Sequence, residues 1–336
     1  MRRWLPRACC IPALLLLAAP LAPAQNEFAP EQPQRKTEAG PRRKQPGWRR
    51  RPEKQDARGQ LQYADALRAA GRTRQAAKQY DALVHAWPTA PEAAVAQRAY
   101  ADLLLARGKQ QAAFDEFQYL IDNYPGRFPF EEVLGEQFRI ANHMNVVRHG
   151  GFLFFPGARD PARALPLYET ILKNAPQWAR APEAQFQIGR IQEDVGEYEL
   201  ATAAYELLLL RYPRSALAAE ASFGCANCRY RLAKAGPRDE EAGRRAFAAL
   251  SVFLRDYPTD ARCAEAETSR TELKERLAAM SFERAAYYDE IAKRPEAARI
   301  AYADFIARFP TSTLRERAEQ RLRALAATTA EKNHEQ

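Results

Sequence analysis

Residues 181–221 read APEAQFQIGRIQEDVGEYELATAAYELLLLRYPRSALAAEA, and this stretch decides the fold. Its second half places Ala201, Tyr205 and Leu208 at i, i+4 and i+7 and closes at Tyr212-Pro213. Those spacings put a small, an aromatic and an aliphatic side chain on one stripe of a helix. Proline has no N–H to give and collides with the preceding turn, so the helix ends just before it. Gly196 lies seventeen residues ahead of that proline. A tight turn between two helices needs a left-handed residue there, and glycine adopts it without strain. The stretch is therefore a helix, a short turn and a second helix with a buried stripe.

The same frame recurs along the chain. Trp87-Pro88, Tyr124-Pro125, Ala175-Pro176, Tyr257-Pro258 and Phe309-Pro310 join Tyr212-Pro213, with successive prolines 37, 51, 37, 45 and 52 residues apart. Ala76, Ala113, Ala164, Ala246 and Ala298 share the position of Ala201, twelve residues before each proline. Tyr80, Phe117, Tyr168, Leu250 and Tyr302 share that of Tyr205, and Leu83, Leu120, Ile171, Phe253 and Phe305 that of Leu208. Gly71 and Gly108 repeat the turn glycine. Punctuation at a recurring period is the mark of a helical repeat. The reading is an all-α solenoid of five to six helix pairs over residues 59–328. A final helix near 312–328 covers the last apolar face, and residues 329–336 form a disordered tail.

The small, aromatic and closing-proline positions resemble the tetratricopeptide (TPR) repeat. Departures from it are Gln60, Gln97, Gln185, Ser222 and Phe282 where that family carries tryptophan, with its glycine kept only as Gly189. Residues 58–328 also look like the BamD-like (YfiO) outer-membrane assembly family. That likeness rests on 181–221, on ERAAYYDEIAKRPEAARIAYADFIARFPTSTLRERAEQRL (283–322) and on the bridge ELKERLAAMSF (272–282). The resemblance implies a right-handed TPR-like solenoid that binds proteins along the face lined by the first helix of each pair. By register Asp65, Arg68, Asp102, Arg190, Glu193 and Tyr287 belong to that face, or else to an ordinary solvated face. The implied partners are barrel-assembly components or unfolded outer-membrane clients. The implied role is scaffolding of β-barrel assembly, with a general periplasmic adaptor for secretion or cell-wall and division machinery as the alternative.

The chain of 336 residues has 51 Lys+Arg against 42 Asp+Glu, a formal charge of +9. The excess is not spread evenly. Residues 1–24 hold three arginines and no acid, and residues 25–58 hold ten bases and five acids, which leaves +1 for residues 59–336. A basic start, the apolar run Ile11–Ala19 and the small residues Ala22-Pro23-Ala24 have the layout of a secretory signal. The run is too short to span a bilayer. Cys9 and Cys10 precede it and the next cysteine is Cys225, so no lipidation cysteine is expected and the exported protein is expected in the periplasm. Residues 25–58 are rich in proline, glutamine and charge and are expected to be a disordered arm. Trp48 sits between two basic clusters there, so residues 35–54 read either as an arm for an anionic membrane surface or as a solubilising linker. Nucleic acid is not an expected partner.

GGFLFFPG at 150–157 breaks the periodicity. Phe152, Phe154 and Phe155 either dock a partner or fold back on the solenoid. Cys225-Ala226-Asn227-Cys228 falls at a packing position of a first helix. It reads as core packing, as a disulfide with Cys263, or as a catalytic pair, and the redox state is open. Four histidines lie scattered, and no HExxH, GxSxG, P-loop or GxGxxG occurs. No catalytic, cofactor or metal residue is therefore assigned, and binding without chemistry is expected.

Overall fold

The computed structural model describes residues 51–149 and 158–334. The expected signal, the arm up to residue 50 and Phe152, Phe154 and Phe155 lie outside the described residues. The chain divides into two units, and all described residues belong to the unit Gly40–Gln336.

Six helix pairs follow one another. They are α1 (Ala57–Ala69) with α2 (Thr73–Ala86), α3 (Pro91–Ala106) with α4 (Gln110–Asn123), and α5 (Phe130–Val146) with α6 (Leu165–Asn174). Then come α7 (Ala181–Asp194) with α8 (Tyr198–Arg211), α9 (Ala218–Ala235) with α10 (Glu240–Asp256), α11 (Cys263–Ala286) with α12 (Pro295–Arg308), and last α13 (Arg315–His334). Between α5 and α6 a two-residue antiparallel pairing joins Arg148–His149 to Ala158–Arg159. Each helix packs mainly on its neighbours in sequence, and first helices also adjoin one another at α1–α3, α7–α9 and α9–α11. The buried apolar residues accordingly form four successive clusters along the chain.

The proline ladder does what its chemistry requires. Trp87, Tyr124, Ala175, Tyr212, Tyr257 and Phe309 each end a helix by leaving the helical region, with φ between −125° and −145° and ψ between 48° and 72°, their N–H donating to the carbonyl four residues earlier. All eighteen stripe positions are buried to 1% exposure or less. Gly71, Gly108 and Gly196 take φ of +72°, +71° and +84°, the left-handed turn their position calls for.

Lys293 stands seventeen residues before Pro310, the glycine position of the last pair, and takes φ of +52°. A lysine there is strained because its Cβ crowds the backbone. Lys293→Gly is expected to stabilise the protein by about 1 kcal/mol, read as a higher denaturation midpoint at unchanged slope.

The glutamines that depart from the repeat pattern are structural. Gln60, Gln97 and Gln185 are buried, and each Nε2 donates across its pair to the backbone carbonyl nineteen residues on: Gln79 at 3.2 Å, Glu116 at 2.8 Å and Ala204 at 2.9 Å. A buried amide that finds a carbonyl fixes the register of two helices.

Two boundaries differ from expectation. Residues 51–58 are not part of a disordered arm. Glu53 N and Lys54 N donate to Gln60 Oε1 at 3.0 Å, and Asp56 caps α1 by accepting from Gly59 N at 2.8 Å. At the other end, helix continues through residues 329–334, expected to be a disordered tail, because nothing in Thr328–His334 breaks it.

Candidate functional site

The stripe tyrosines of second helices reach the first helices with their hydroxyls, or in the last pair the π-helical turn Tyr287–Ile291 that continues α11. Tyr80 donates to Asp65 at 2.5 Å, Tyr168 to Asn142 at 2.5 Å, Tyr205 to Glu193 at 2.8 Å and Tyr302 to Asp289 at 3.4 Å. Burial and the neighbouring carboxylate push the Tyr205 hydroxyl far above the usual tyrosine range. These hydroxyls stay protonated and act as fixed donors.

Two adjoining clefts open where α1, α3 and α5 meet. The larger, about 480 Å³, lies between α3 and α5 and is lined by Asp102, Leu105, Ala106, Glu136, Ile140 and His143, with Gln110 and Arg139 beside them. The smaller, about 290 Å³, has Arg68 from α1, Val95, Arg98 and Asp102 from α3, and Arg127 and Phe128 from the turn before α5. Arg98 pairs with Glu132 at 2.6 Å, and Arg139 pairs with Glu136 one turn away. With Arg98 matched by Glu132, Arg68 and Arg127 against Asp102 leave the smaller cleft positive. In the larger, the Arg139 charge is already matched by Glu136 and Asp102 leaves an excess negative charge. Asp102 forms the wall they share.

Burial raises the Asp102 carboxyl above its ordinary value, with Arg98 and Arg68 opposing that shift and Glu136 adding to it. A carboxyl raised by folding binds its proton more readily in the native state. The ionised form therefore costs stability above the usual carboxylate range, and the cost disappears once both states are protonated at lower pH. Asp102→Asn is expected to raise the melting temperature at pH 7, with the gain shrinking as the pH falls through the carboxylate range, as paired thermal melts will show.

Of the residues the sequence assigned to the binding face, Arg68 and Asp102 meet at the smaller cleft. Asp65 is engaged by Tyr80. Glu193 receives Tyr205 on one oxygen and Asn227, at 3.2 Å, on the other. Arg190 pairs with Glu220 at 3.6 Å, and Tyr287 is 52% exposed with its ring against Tyr288. Neither Arg190, Glu193 nor Tyr287 lines the two clefts. Sequence reading did not single out Arg98, Arg127 or Glu136. Arg98 was within reach of it, because it lies one helical turn before Asp102 on the same face.

Cys225 and Cys228 are buried, and the three described cysteines are free thiols. Burial pushes the Cys225 thiol up to about 11 and, with Glu193 adding to the shift, Cys228 up to about 12. Cysteines so placed pack and do not react as thiolates at neutral pH. Among the described residues no group of His, Cys, Asp and Glu is arranged to hold a metal, and no helix is long and apolar enough to cross a membrane.

Comparison with known proteins agrees with the repeat. Residues 61–128 match the tetratricopeptide repeat model (TPR_16), and residues 163–299 match the outer membrane lipoprotein model (YfiO). No curated protein matches the chain. Among solved structures, YrrB, a TPR protein with an unusual peptide-binding site, is 15% identical over 63% of this chain and 92% of its own, with a TM-score of 0.32. A tetratricopeptide repeat protein from Parabacteroides merdae is 13% identical over 81% of this chain and all of its own, at 0.31. A thermophilic TPR protein from Thermus thermophilus is 17% identical over 65% and 98%, at 0.25. Six proline-closed helix pairs make the fold a TPR-like helical repeat, in which residues 61–128 match the tetratricopeptide repeat and residues 163–299 resemble the BamD-like (YfiO) outer membrane lipoprotein family.

Proposed function

We propose that the protein is a non-catalytic periplasmic scaffold with a BamD-like role in outer-membrane β-barrel assembly. The observation that carries this reading is the YfiO match across residues 163–299, which takes in α6, the complete pairs α7–α8 and α9–α10, and α11 with the start of α12. The paired clefts beneath α1, α3 and α5 support a binding role, since a repeat array presents fixed side chains from several helices to one partner. In this role the array holds barrel-assembly components or unfolded barrel clients in a set geometry and does no chemistry on them. The basic segment 35–54 would add attraction to an anionic membrane surface.

A second reading, a general periplasmic adaptor for secretion or cell-wall machinery, draws on the first pairs. Residues 61–128 match the general repeat model instead of YfiO. Affinity purification from membranes after crosslinking in cells separates the two. Recovery of barrel-assembly proteins, with depleted barrel proteins on deletion, supports the first. Recovery of secretion or division proteins with normal barrels replaces it with the second.

A further inference from the structure

Asp65 and Asp102 occupy the same repeat position, twenty-three residues before Pro88 and Pro125. Tyr80 and Phe117 likewise share the stripe position, eight residues before those prolines. In the first pair the tyrosine hydroxyl satisfies the carboxylate at 2.5 Å. In the second pair the ring is phenylalanine, fully buried and without a hydroxyl to offer. Among the described residues no hydrogen bond or close ion pair reaches Asp102. The repeat thus carries one inner-face acid whose built-in donor has been removed.

That acid stands where a partner can reach it, on the wall between the two clefts. On the α3–α5 side the cleft is lined by the apolar Leu105, Ala106 and Ile140, by Gln110 and His143, and by Glu136 and Arg139, which pair with each other. A half-buried carboxylate short of donors gains most from a cation that brings its own N–H groups. Lysine and arginine carry such a cation on an aliphatic stem, and the stem suits the apolar walls. A neutral donor would satisfy one lone pair and bring no charge, whereas Arg98 and Arg68 act on the carboxylate only from beyond ion-pair distance. An acidic group is repelled here and belongs, if anywhere, among Arg68, Arg98 and Arg127 in the other cleft.

We propose that the α3–α5 cleft receives a lysine or arginine side chain of a bound protein segment, with Asp102 as its counter-ion. This rests on the scaffold reading above and adds to it the chemistry of one contact. The second pair has exchanged an internal tyrosine–carboxylate bond for an external one.

The test uses the full chain and a library of acetylated, amidated dodecapeptides in which one position is lysine, arginine, norleucine, glutamine or glutamate. The wild type is expected to retain lysine or arginine peptides about tenfold over norleucine, the size of one charge-assisted hydrogen bond. Asp102→Asn is expected to bring that ratio close to one. Phe117→Tyr, which restores the hydroxyl seen in the first pair and leaves the charge in place, is expected to lower it as well. Circular dichroism is to check that both variants are folded, and each variant carries the test on its own. A basic preference that survives both variants overturns the proposal, as does retention of peptides without any basic preference. That second result leaves the scaffold reading standing. Retention of no peptide of any composition overturns both.

Discussion

Gly224→Ala is expected to cost about 3 kcal/mol of stability, and Gly224→Val to leave the fourth and fifth pairs unfolded at 37 °C. The Tyr205 ring lies between two glycines from different helices. A Cβ built at Gly189 on α7 would stand 2.6 Å from Tyr205 Cε1, and one at Gly224 on α9 would stand 2.7 Å from Cε2. The ring cannot move aside, because it is fully buried, packs against the Phe186 ring at 5.7 Å and 46° and is tethered by its hydroxyl to Glu193. An added methyl must therefore push two helices apart, and packed interiors yield little. Tyr205→Ala alone is expected to cost about 3–5 kcal/mol through the cavity it leaves. The interaction between sites is the sharper measurement. In the Tyr205→Ala background, Gly224→Ala should cost almost nothing, since the methyl then enters the vacated space. Urea titrations of the four proteins in the cycle check this. Additive losses would show that the glycine serves another purpose.

Deleting α13 is the other change expected to have a large effect. Leu314, Ala318, Leu322 and Leu325 lie against the cluster of Phe282, Tyr302, Phe305 and Phe309. Arg321 reaches back to Asp289 at 2.7 Å, and Arg317 sits over the Phe282 ring at 5.3 Å. A chain ending at residue 311 loses this cover and exposes the aromatic face. Re-exposing those contacts is expected to cost about 4 kcal/mol, borne by the α11–α12 pair. Proteolysis should then cut within 287–311 while residues 57–256 stay resistant, and binding of a hydrophobic dye should rise. A truncated protein as protease-resistant as the full chain would mean that the last pair is self-sufficient.

Much of the fold was open to sequence reading because its signals are local. A proline ends a helix wherever it falls, and the residues twelve, eight and five before it share a face by helical geometry alone. What escaped depends on atoms far apart in sequence. Gln97 reads as a missing tryptophan until the Glu116 carbonyl is seen beside it, and a carbonyl leaves no mark on sequence. Gly224 looks like any helical glycine until Tyr205 arrives from the preceding helix. Glu193 reads as a surface charge facing a partner, yet Tyr205 and Asn227 occupy both its oxygens. Lys293 was hidden by the frame itself, since only the count from Pro310 shows that it stands in for glycine. Asp102 was placed on the right face by register. Its difference from Asp65 appears only when the two pairs are compared with their tyrosine and phenylalanine in place.

The neighbour-to-neighbour packing of the helices has a kinetic consequence. Among the described residues each helix packs mainly on its neighbours in sequence, so little loop-closure entropy stands in the way of forming a pair. Contact order is low, and proteins of that kind fold on the fast side of the observed range. Nucleation has no privileged site: any pair with its stripe and its proline can form first and template the next. Loss of structure runs the other way, fraying inward from the ends, where each terminal pair has a neighbour on one side alone.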